Sequence, residues 1–267
     1  MTTEQPSVDA SEVLCCIAQH ATFVDALRDG PKYKSELADE LDVTKVTIYN
    51  WYTNLEAFGL VHRTSRGYGL SSIGHLHAAL YADAVSESEA ICTAAPILQE
   101  LPPDDLPPRH ILSDAEVTTV HPDPGLPRDV LIERRRSAET LQCLSPVLSA
   151  RSFKTVVQAV RAEKLTAEFV TGADALDRFT QAHESRFERF VQSDGLSVLE
   201  TTQSIPFGLS IVGGPVADVA LIAYSEQGHV TGVVRTDAPE AIEWAHQTYQ
   251  TYREGALEPE PSSSARQ

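Results

Sequence analysis

The chain is short of positive charge and of cysteine. Its 267 residues include 21 Lys and Arg against 38 Asp and Glu, a formal net charge of −17, and only five of the cations are lysines. This balance has the wrong sign for a generic binder of nucleic acids, whose affinity rests on a basic surface. The four cysteines, Cys15, Cys16, Cys92 and Cys143, form no C-x-x-C pair and no Cys/His cluster with zinc spacing. We expect reduced thiols, with Cys15 and Cys16 buried in an apolar helix, and no metal site.

Long apolar runs and catalytic motifs are also missing. No apolar stretch approaches the roughly twenty residues that span a bilayer, and the start, MTTEQPSVDA, has no cationic patch before an apolar core. These absences predict a cytoplasmic protein with no membrane partner. We find no G-x-S-x-G elbow, P-loop, G-x-G-x-x-G turn or metal-binding His pair. The sequence therefore predicts no enzymatic activity and no cofactor.

The segment from Tyr33 to Leu70 has the pattern of a winged helix-turn-helix. Apolar residues at helical spacing mark a short first helix, and Asp42-Val43 then turns the chain. Thr44 can cap a second helix that ends near Gly59. The following residues, as far as Leu70, predict a two-stranded hairpin. Double-stranded DNA is the first partner that this order indicates.

The second helix has one apolar face and one polar face. Ile48, Trp51 or Tyr52, Leu55 and Phe58 fall on the stripe expected to face the core. The opposite face offers hydroxyl, ammonium, aromatic and amide groups, which suit contacts to bases and phosphates. The predicted DNA-contacting residues, including two arginines that flank the wing turn, are Thr44, Lys45, Thr47, Tyr49, Asn50, Arg63 and Arg66. The alternative is an amphipathic helix pair and hairpin used for protein contacts.

The charge of this segment differs from that of the rest of the chain. Residues 30–77 contain five cations and five anions, whereas the chain beyond residue 80 has 15 cations and 28 anions. The acid surplus therefore lies outside the predicted DNA-binding segment. Such a surplus resembles proteins from a cytoplasm at molar salt, where repulsion is screened over a few ångströms. A mesophilic acidic protein with another use for its charge is the rival interpretation.

The stretch ELADELDVTKVTIYNWYTNLEAFGLVHR resembles the winged-helix regulators common in archaea. Their second helix begins with a small capping residue, a basic residue and Thr, followed by an aliphatic residue and Tyr. It ends in Leu-Glu-x-x-Gly-Leu-Val, which here is Leu55 to Val61. Asn50 departs from this pattern, because such helices often carry a cation there. The resemblance implies a DNA-binding transcriptional regulator.

A helix from Ser71 to about Cys92 is predicted after the wing. In winged-helix dimers such a helix often pairs with its twin and brings two recognition helices to successive major grooves, so we expect a homodimer. Packing on its own domain is the alternative. The proline-rich stretch APILQELPPDDLPPRH then marks a stiff connector. The predicted organisation is a DNA-binding domain over 1–95, a linker over 96–108, a sensor or assembly domain over 109–257, and a disordered tail over 258–267.

Short β-like runs alternate with helical segments beyond the connector, which predicts a mixed α/β domain and an α+β fold class for the whole chain. The first run, Arg109–Leu112, reads as a strand, and a helix is expected near Pro127–Ala138. One strand should end at Cys143-Leu144-Ser145, just before a helix, where open α/β sheets place ligands. Ser145 and Arg151 are therefore candidate residues for an anionic small-molecule effector. The run Arg134-Arg135-Arg136 is a second candidate for binding an anionic effector. The preferred interpretation of this run is a solvated helix face.

The C-terminal end carries a second resemblance. YSEQGHVTGVVRTDAPEAIEWAHQTYQTYREGA is similar to the close of an archaeal sensor domain first described in a regulator of methanogenesis and widespread in haloarchaeal regulators. That group has a hairpin with Gly at its turn, here Gly228, and a helix of the form Ala-x-x-Trp, here Ala241 and Trp244. The resemblance supplies no ligand. Together the patterns predict an archaeal, halophilic transcriptional regulator; a protein-interaction module or scaffold is the alternative, and an enzyme with a winged-helix appendage ranks third.

Overall fold

A computed structural model describes residues 9–259 apart from Ser113 and Gln192. Residues 1–8, which belong to the segment used to argue against a signal peptide, and residues 260–267 of the predicted tail lie outside the described residues. The chain divides into two compact units, Met1–Ser88 and Glu89–Gln267, called here the N-terminal unit and the C-terminal unit. The predicted α+β class, with a winged helix-turn-helix before a mixed α/β domain, is confirmed.

The N-terminal unit is helical except for its wing. Its elements are α1 (Ala10–Gln19), α2 (Ala21–Ala26), α3 (Lys34–Glu40), α4 (Lys45–Ala57), β1 (Val61–Thr64), β2 (Gly67–Leu70) and the first part of α5 (Ser72–Leu98). The sequence predicts one helix over Asp9–Arg28, but the helix is interrupted at His20, whose φ of −123° and ψ of 26° are not helical. Asp9 caps α1 by accepting a hydrogen bond from the Ser11 amide.

The core of the N-terminal unit lies between α4, the wing and the preceding helices. Ile48, Tyr52 and Leu55 are buried, whereas Trp51 is only partly buried and packs edge-on against Phe23. The sequence did not decide whether Trp51 or Tyr52 belongs to the apolar stripe, and the structure shows that it is Tyr52. Its ring also stacks on that of Tyr68 in the wing, at 4.2 Å between centroids. This stacking ties α4 to the hairpin.

The wing is fixed to the segment before α3 by backbone hydrogen bonds. The Lys32 amide donates to the Tyr68 carbonyl at 3.0 Å, and the Tyr68 amide donates back at 2.9 Å. Gly67 has a φ of +107°, and a Cβ there would lie 2.1 Å from the Lys32 carbonyl oxygen. Only glycine fits this position, because any side chain would push the wing off its anchor.

Helix α5 is longer than predicted and extends over both units. The division between the units falls at Ser88 and Glu89, within the helix. The predicted connector also differs, since Ile97 and Leu101 are buried in the core of the C-terminal unit. Apolar side chains between the prolines thus have a surface to pack on. The strand predicted over Arg109–Leu112 is wrong, because Arg109–Ile111 forms a short 3-10 helix.

The C-terminal unit contains a mixed sheet. Its elements are β3 (Glu116–Thr119), α6 (Leu126–Arg136), β4 (Thr140–Ser145), α7 (Ala150–Arg161), β5 (Thr166–Gly172), α8 (Ala173–Val191), β6 (Leu196–Thr201), β7 (Gly208–Gly213), β8 (Asp218–Tyr224), β9 (Val230–Thr236) and α9 (Pro239–Arg253). In the described part of the chain, the strand order is β3-β9-β8-β7-β4-β5-β6. The sequence did not predict β3, which is four residues long and pairs with β9 at the sheet edge.

Helices cover both faces of this sheet. Alternate residues of β4 show the two sides: Leu141 and Cys143 belong to the cluster formed with α7 and α8, and Leu144 belongs to the cluster formed with α9. Helix α6 packs on the same face as α7. Strand β4 is parallel to β5 but antiparallel to β7. The direction of the sheet therefore changes at β4, whose carboxyl end leads into α7.

Candidate nucleic-acid interface and internal cavity

The first turns of α4 expose most of the residues predicted to contact DNA. Lys45, Tyr49 and Asn50 are exposed. Thr44 is the N-cap of α4 and accepts a hydrogen bond from the Thr47 amide at 3.1 Å, while the two threonine hydroxyls lie 2.9 Å apart. Both threonines thus have a structural role in starting the helix, and their DNA contacts stay a prediction. The exposed side chains of the predicted reading face are therefore mainly Lys45, Tyr49 and Asn50.

The basic side chains of this surface differ in their surroundings. Within the described residues, Lys45 and Arg66 have no carboxylate partner, so their charges face solvent. Arg63 lies over the aromatic pair that joins α4 to the wing, 5.6 Å from the Tyr52 centroid and 5.8 Å from that of Tyr68. Lys45 and Arg66 are therefore the cations available to a phosphate, while the role predicted for Arg63 competes with packing.

Two further residues of this surface were not predicted from the sequence. Val46 is 66% exposed on the first turn of α4, between Thr44 and Thr47. An exposed methyl-bearing side chain there can contact a thymine methyl group in a major groove. Lys34 of α3 lies with its Nζ 5.0 Å from the ring centroid of Tyr49, so it adds a cation beside α4. The exposure of Val46 could have been predicted from the sequence, because helical spacing places this residue outside the apolar stripe of α4.

The C-terminal unit contains a cavity of about 530 Å³ beside the carboxyl end of β4. It lies between α6, the loop from β4 to α7, and the hairpin that joins β8 and β9, and we call it the β4 cavity. Its wall is largely apolar and includes Phe153 and Phe169. Gly228 in the hairpin turn has a φ of +78°, and its Cβ position would lie 3.2 Å from a Val147 methyl group. The size suits a small organic molecule.

Three consecutive arginines of α6 have three different surroundings. Arg134 pairs with the buried carboxylate of Asp218, with Nε donating to Oδ2 at 2.6 Å. Arg136 is exposed. Arg135 is only 6% exposed and lines the β4 cavity. The prediction of a solvated arginine face therefore fails at Arg135 and holds at Arg136.

The charge of Arg135 has no carboxylate partner within the described residues. Its Nη2 lies 3.8 Å from the Sγ of Cys143, a weak acceptor, and its Nε is buried without a partner. Arg128 lines the same cavity with a buried Nε that makes no hydrogen bond, although Asp129 lies 3.9 Å away. Thr231 adds a buried, unpartnered hydroxyl. Among the residues that the structure describes, the cavity lining contains no Asp or Glu.

The polar groups at the end of β4 are engaged with each other. Ser145 donates its hydroxyl hydrogen to the Val147 carbonyl at 2.7 Å, and its Oγ lies 3.3 Å from the Tyr224 hydroxyl. Removal from water raises the pKa of Tyr224 to about 12, and burial raises the pKa of the Cys143 thiol. At neutral pH both groups are therefore uncharged, and Arg135 gains no counter-charge from them.

The sequence predicted an effector site from Ser145 and Arg151, and the structure separates these residues. Ser145 lines the β4 cavity, whereas Arg151 is exposed and is not part of its lining. A role for Arg151 in effector binding stays a prediction. The cavity is instead lined by Arg128, which sequence reasoning missed, and by Arg135, which it had assigned mainly to a solvated helix face. The available signal was their spacing, since 128, 131 and 135 share one face of α6 and Leu131 between them is buried.

The cysteines differ from expectation at one position. Cys16 is buried as predicted, but its neighbour Cys15 is exposed, because adjacent helical residues point about 100° apart.

Over the described residues, no group of His, Cys, Asp or Glu is arranged to hold a metal ion. None of the helices found there is both long enough and apolar enough to pass through a membrane.

The geometry defines a winged helix-turn-helix unit followed by an α/β unit with a ligand-sized cavity, and family comparisons agree with this division. Residues 8–91 match the family described as HVO_A0261 N-terminal domain. Residues 124–255 match the family described as methanogenesis regulatory protein FilR1, middle domain, and this match spans α6 to α9. The matches support assigning the chain to the transcription regulators. No curated protein matches the chain.

Solved structures show looser likenesses. TrmBL2, described as an archaeal chromatin protein with a novel mode of DNA binding, is 12% identical over 94% of this chain and 100% of its own, with a TM-score of 0.43. NucT from Helicobacter pylori is 12% identical over 54% of this chain and 98% of its own, with a TM-score of 0.44. Nuc from Salmonella typhimurium, a phospholipase D family member, is 14% identical over 55% and 99%, with a TM-score of 0.43. With scores below 0.5, these likenesses carry no argument.

Proposed function

We propose that the protein is a homodimeric, DNA-binding transcription regulator that reads a major groove with α4 and responds through its C-terminal unit to a small-molecule effector. The observation that carries the proposal is the exposed first half of α4, where Lys45, Tyr49 and Asn50 face solvent on a winged helix-turn-helix. Neither unit is assigned a catalytic step. An acidic surface with a net charge of −17 suits a cytoplasm at high salt, as in haloarchaea.

A salt-adapted regulator cannot rely on many phosphate contacts. Counterion release weakens binding as salt rises, and each phosphate contact steepens that dependence. Three cations of the predicted contact set, Lys45, Arg63 and Arg66, are exposed and lack a carboxylate partner among the described residues, and the Arg63 guanidinium also lies over Tyr52 and Tyr68. Affinity in this proposal therefore rests more on fit and base contacts, including those of Asn50, Tyr49 and Val46. The expected salt dependence is shallower than that of a basic repressor.

An exposed apolar stripe on α5 supports the homodimer. Ile73, Leu76 and Leu80 are exposed at spacings of three and four residues, while Ala78 on the opposite face is buried. A second copy of the same helix would cover this stripe and set the separation of two α4 helices. An effector would then alter DNA binding only if it favoured one separation over another.

Mobility-shift titration against genomic fragments tests DNA binding, with bound promoters mapped in cells to identify the operator. The wild-type chain should retain specific fragments, and both Lys45→Ala and Thr47→Ala should weaken their retention. Lys164→Ala, an exposed lysine of the C-terminal unit, is the matched control and should bind like wild type. Unchanged binding by both α4 variants would reject the reading surface. Failure to retain any fragment, with capture of a protein through the winged helix, would favour the interaction-module alternative.

Sedimentation tests the homodimer. Leu76→Glu and Leu80→Glu should reduce the mass from that of a dimer to that of a monomer, because a carboxylate would be buried at the centre of the helix pair. Leu106→Glu, at an exposed leucine away from α5, is the control. A monomeric wild-type chain at working concentrations would reject pairing through α5.

A further inference from the structure

The β4 cavity has the features of a site for an anion with an apolar body. Its wall combines aromatic and aliphatic side chains with the guanidinium groups of Arg128 and Arg135. Clefts and cavities of several hundred cubic ångströms with a few converging polar groups are where proteins bind small molecules. We propose that this cavity binds a small organic acid, with the guanidinium groups of Arg135 and Arg128 holding its carboxylate or phosphate.

Arg135 carries the inference because it is a buried cation without a counter-charge. A buried ion is destabilising unless it is paired and hydrogen-bonded. The same helix shows the ordinary solution one residue earlier, where Arg134 and also Arg235 share the carboxylate of Asp218. Arg135 is more deeply buried than Arg134 but faces only a neutral thiol within the described residues. An anionic ligand would supply the missing partner.

The charge distribution of the unit points the same way. Beyond residue 80 the chain has 28 acidic residues, yet none of the described residues lining the β4 cavity is Asp or Glu. An acidic exterior repels anions, whereas a cavity lined by two guanidinium groups and, within the described residues, by no carboxylate attracts them. The planar, forked guanidinium group binds a carboxylate or phosphate through two parallel hydrogen bonds.

Other polar groups would complete the site. The buried Thr231 hydroxyl has no partner within the described chain and can donate to the same head group. Helix α7 begins directly after Leu148 and Ser149, which line the cavity, and the Ser149 side chain does not cap it. The backbone N–H groups of the first turn of a helix have no partner within the helix. In α7, which has twelve residues, these groups and the positive end of the helix dipole lie beside the cavity. The apolar wall, with Phe153 and Phe169, would take the rest of the ligand.

Benzoate and its neutral analogue benzamide test the proposal on the full-length chain. Calorimetric titration should show saturable benzoate binding that is at least about tenfold stronger than benzamide binding, the factor that corresponds to one charge-assisted contact. Inorganic phosphate should compete with benzoate. This comparison of ligands uses the wild-type chain, so its result does not depend on whether a substituted chain folds.

Substitutions then locate the site. Arg135→Met should lower benzoate affinity at least about tenfold, and Arg128→Met should lower it by a smaller factor. Arg136→Met, which removes the exposed neighbouring arginine, is the matched control and should bind like wild type. Bound benzoate should also slow alkylation of Cys143, whose thiol lines the cavity, and leave that of the exposed Cys92 unchanged.

The outcomes separate this proposal from the function proposed above. Absence of saturable benzoate and phosphate binding, equal binding of benzamide, or unchanged binding by Arg135→Met would each overturn the anion site, whatever the DNA assay shows. Benzoate binding that depends on Arg135 in a chain that retains no DNA would support the site and reject the regulator. An effect of the bound organic acid on DNA affinity rests on the proposed function. Binding of the organic acid to the β4 cavity does not depend on that function.

Discussion

The two units use their cations in opposite ways. In the N-terminal unit, Lys45 and Arg66 face solvent beside an exposed helix, where a large polyanion can reach them. In the C-terminal unit, Arg134 is held by a buried carboxylate, and Arg135 is enclosed without one. An exposed free cation suits a surface that binds DNA, and an enclosed free cation suits a small anion. Surroundings, more than the number of basic residues, distinguish the two units.

Each unit contains one of the two tryptophans, which allows its stability to be followed separately. Trp51 belongs to the N-terminal unit and Trp244 to the C-terminal unit. A Trp244→Phe parent reports unfolding of the first, and a Trp51→Phe parent reports unfolding of the second. Every stability change below is measured by denaturant titration against the matching single-tryptophan parent.

The largest effect is expected at Asp218 of the C-terminal unit. This carboxylate is 2% exposed and serves both Arg134 and Arg235. Asp218→Asn should lower the free energy of unfolding by about 2–3 kcal/mol, below the ~3–5 kcal/mol of a fully buried pair because both arginines are partly exposed. A decrease in the free energy of unfolding of less than ~1 kcal/mol would show that pairing with Asp218 does not distinguish Arg134 from the unpaired Arg135.

The second effect concerns DNA binding by the N-terminal unit. Lys45→Ala should reduce affinity for a retained fragment about tenfold and make the slope of log affinity against log salt less negative by about 0.9, the value for one phosphate contact. The slope is measured by fluorescence anisotropy over a salt series. An affinity loss with an unchanged slope would indicate a base contact for Lys45 in place of a phosphate contact.

A smaller effect, of opposite sign, is expected at Arg135. Without ligand, Arg135→Met should raise the free energy of unfolding of the C-terminal unit by about 1 kcal/mol, because an apolar side chain replaces a buried unpaired charge. The same substitution should weaken anion binding, so stability and binding should change in opposite directions. Destabilisation would mean that a partner within the chain already satisfies Arg135.

The smallest effect is expected for an exposed ion pair of the N-terminal unit. Lys32 Nζ lies 2.6 Å from Glu40, and the two side chains are 28% and 44% exposed, whereas the Asp218 side chain is 3% exposed. Glu40→Gln should change the free energy of unfolding by less than about 1 kcal/mol, as is usual for solvent-screened pairs, and the change should shrink at high salt. A loss equal to that of Asp218→Asn would show that burial does not separate the ion pairs of the two units.

Local sequence determined much of the N-terminal unit. A capping threonine, an apolar stripe and a glycine at the wing turn each specify their own element, so the helix-turn-helix and wing could be predicted from residues 33–70 alone. The same reasoning found most strands and helices of the C-terminal unit, because alternation and helical periodicity are local properties. It missed β3, whose pairing with β9 involves residues more than a hundred positions apart.

Only tertiary structure decided which side chains meet. Whether Arg134, Arg135 or Arg136 faces solvent depends on where α6 rests on the sheet, and the carboxylate that serves Arg134 is more than eighty residues away. The β4 cavity joins α6, the end of β4 and the β8–β9 hairpin, none of which specifies the others through local pattern. The sequence by itself determined most of the elements and the exposed polar face of α4. The cavity and its unpaired arginine exist because long-range packing brings those elements together.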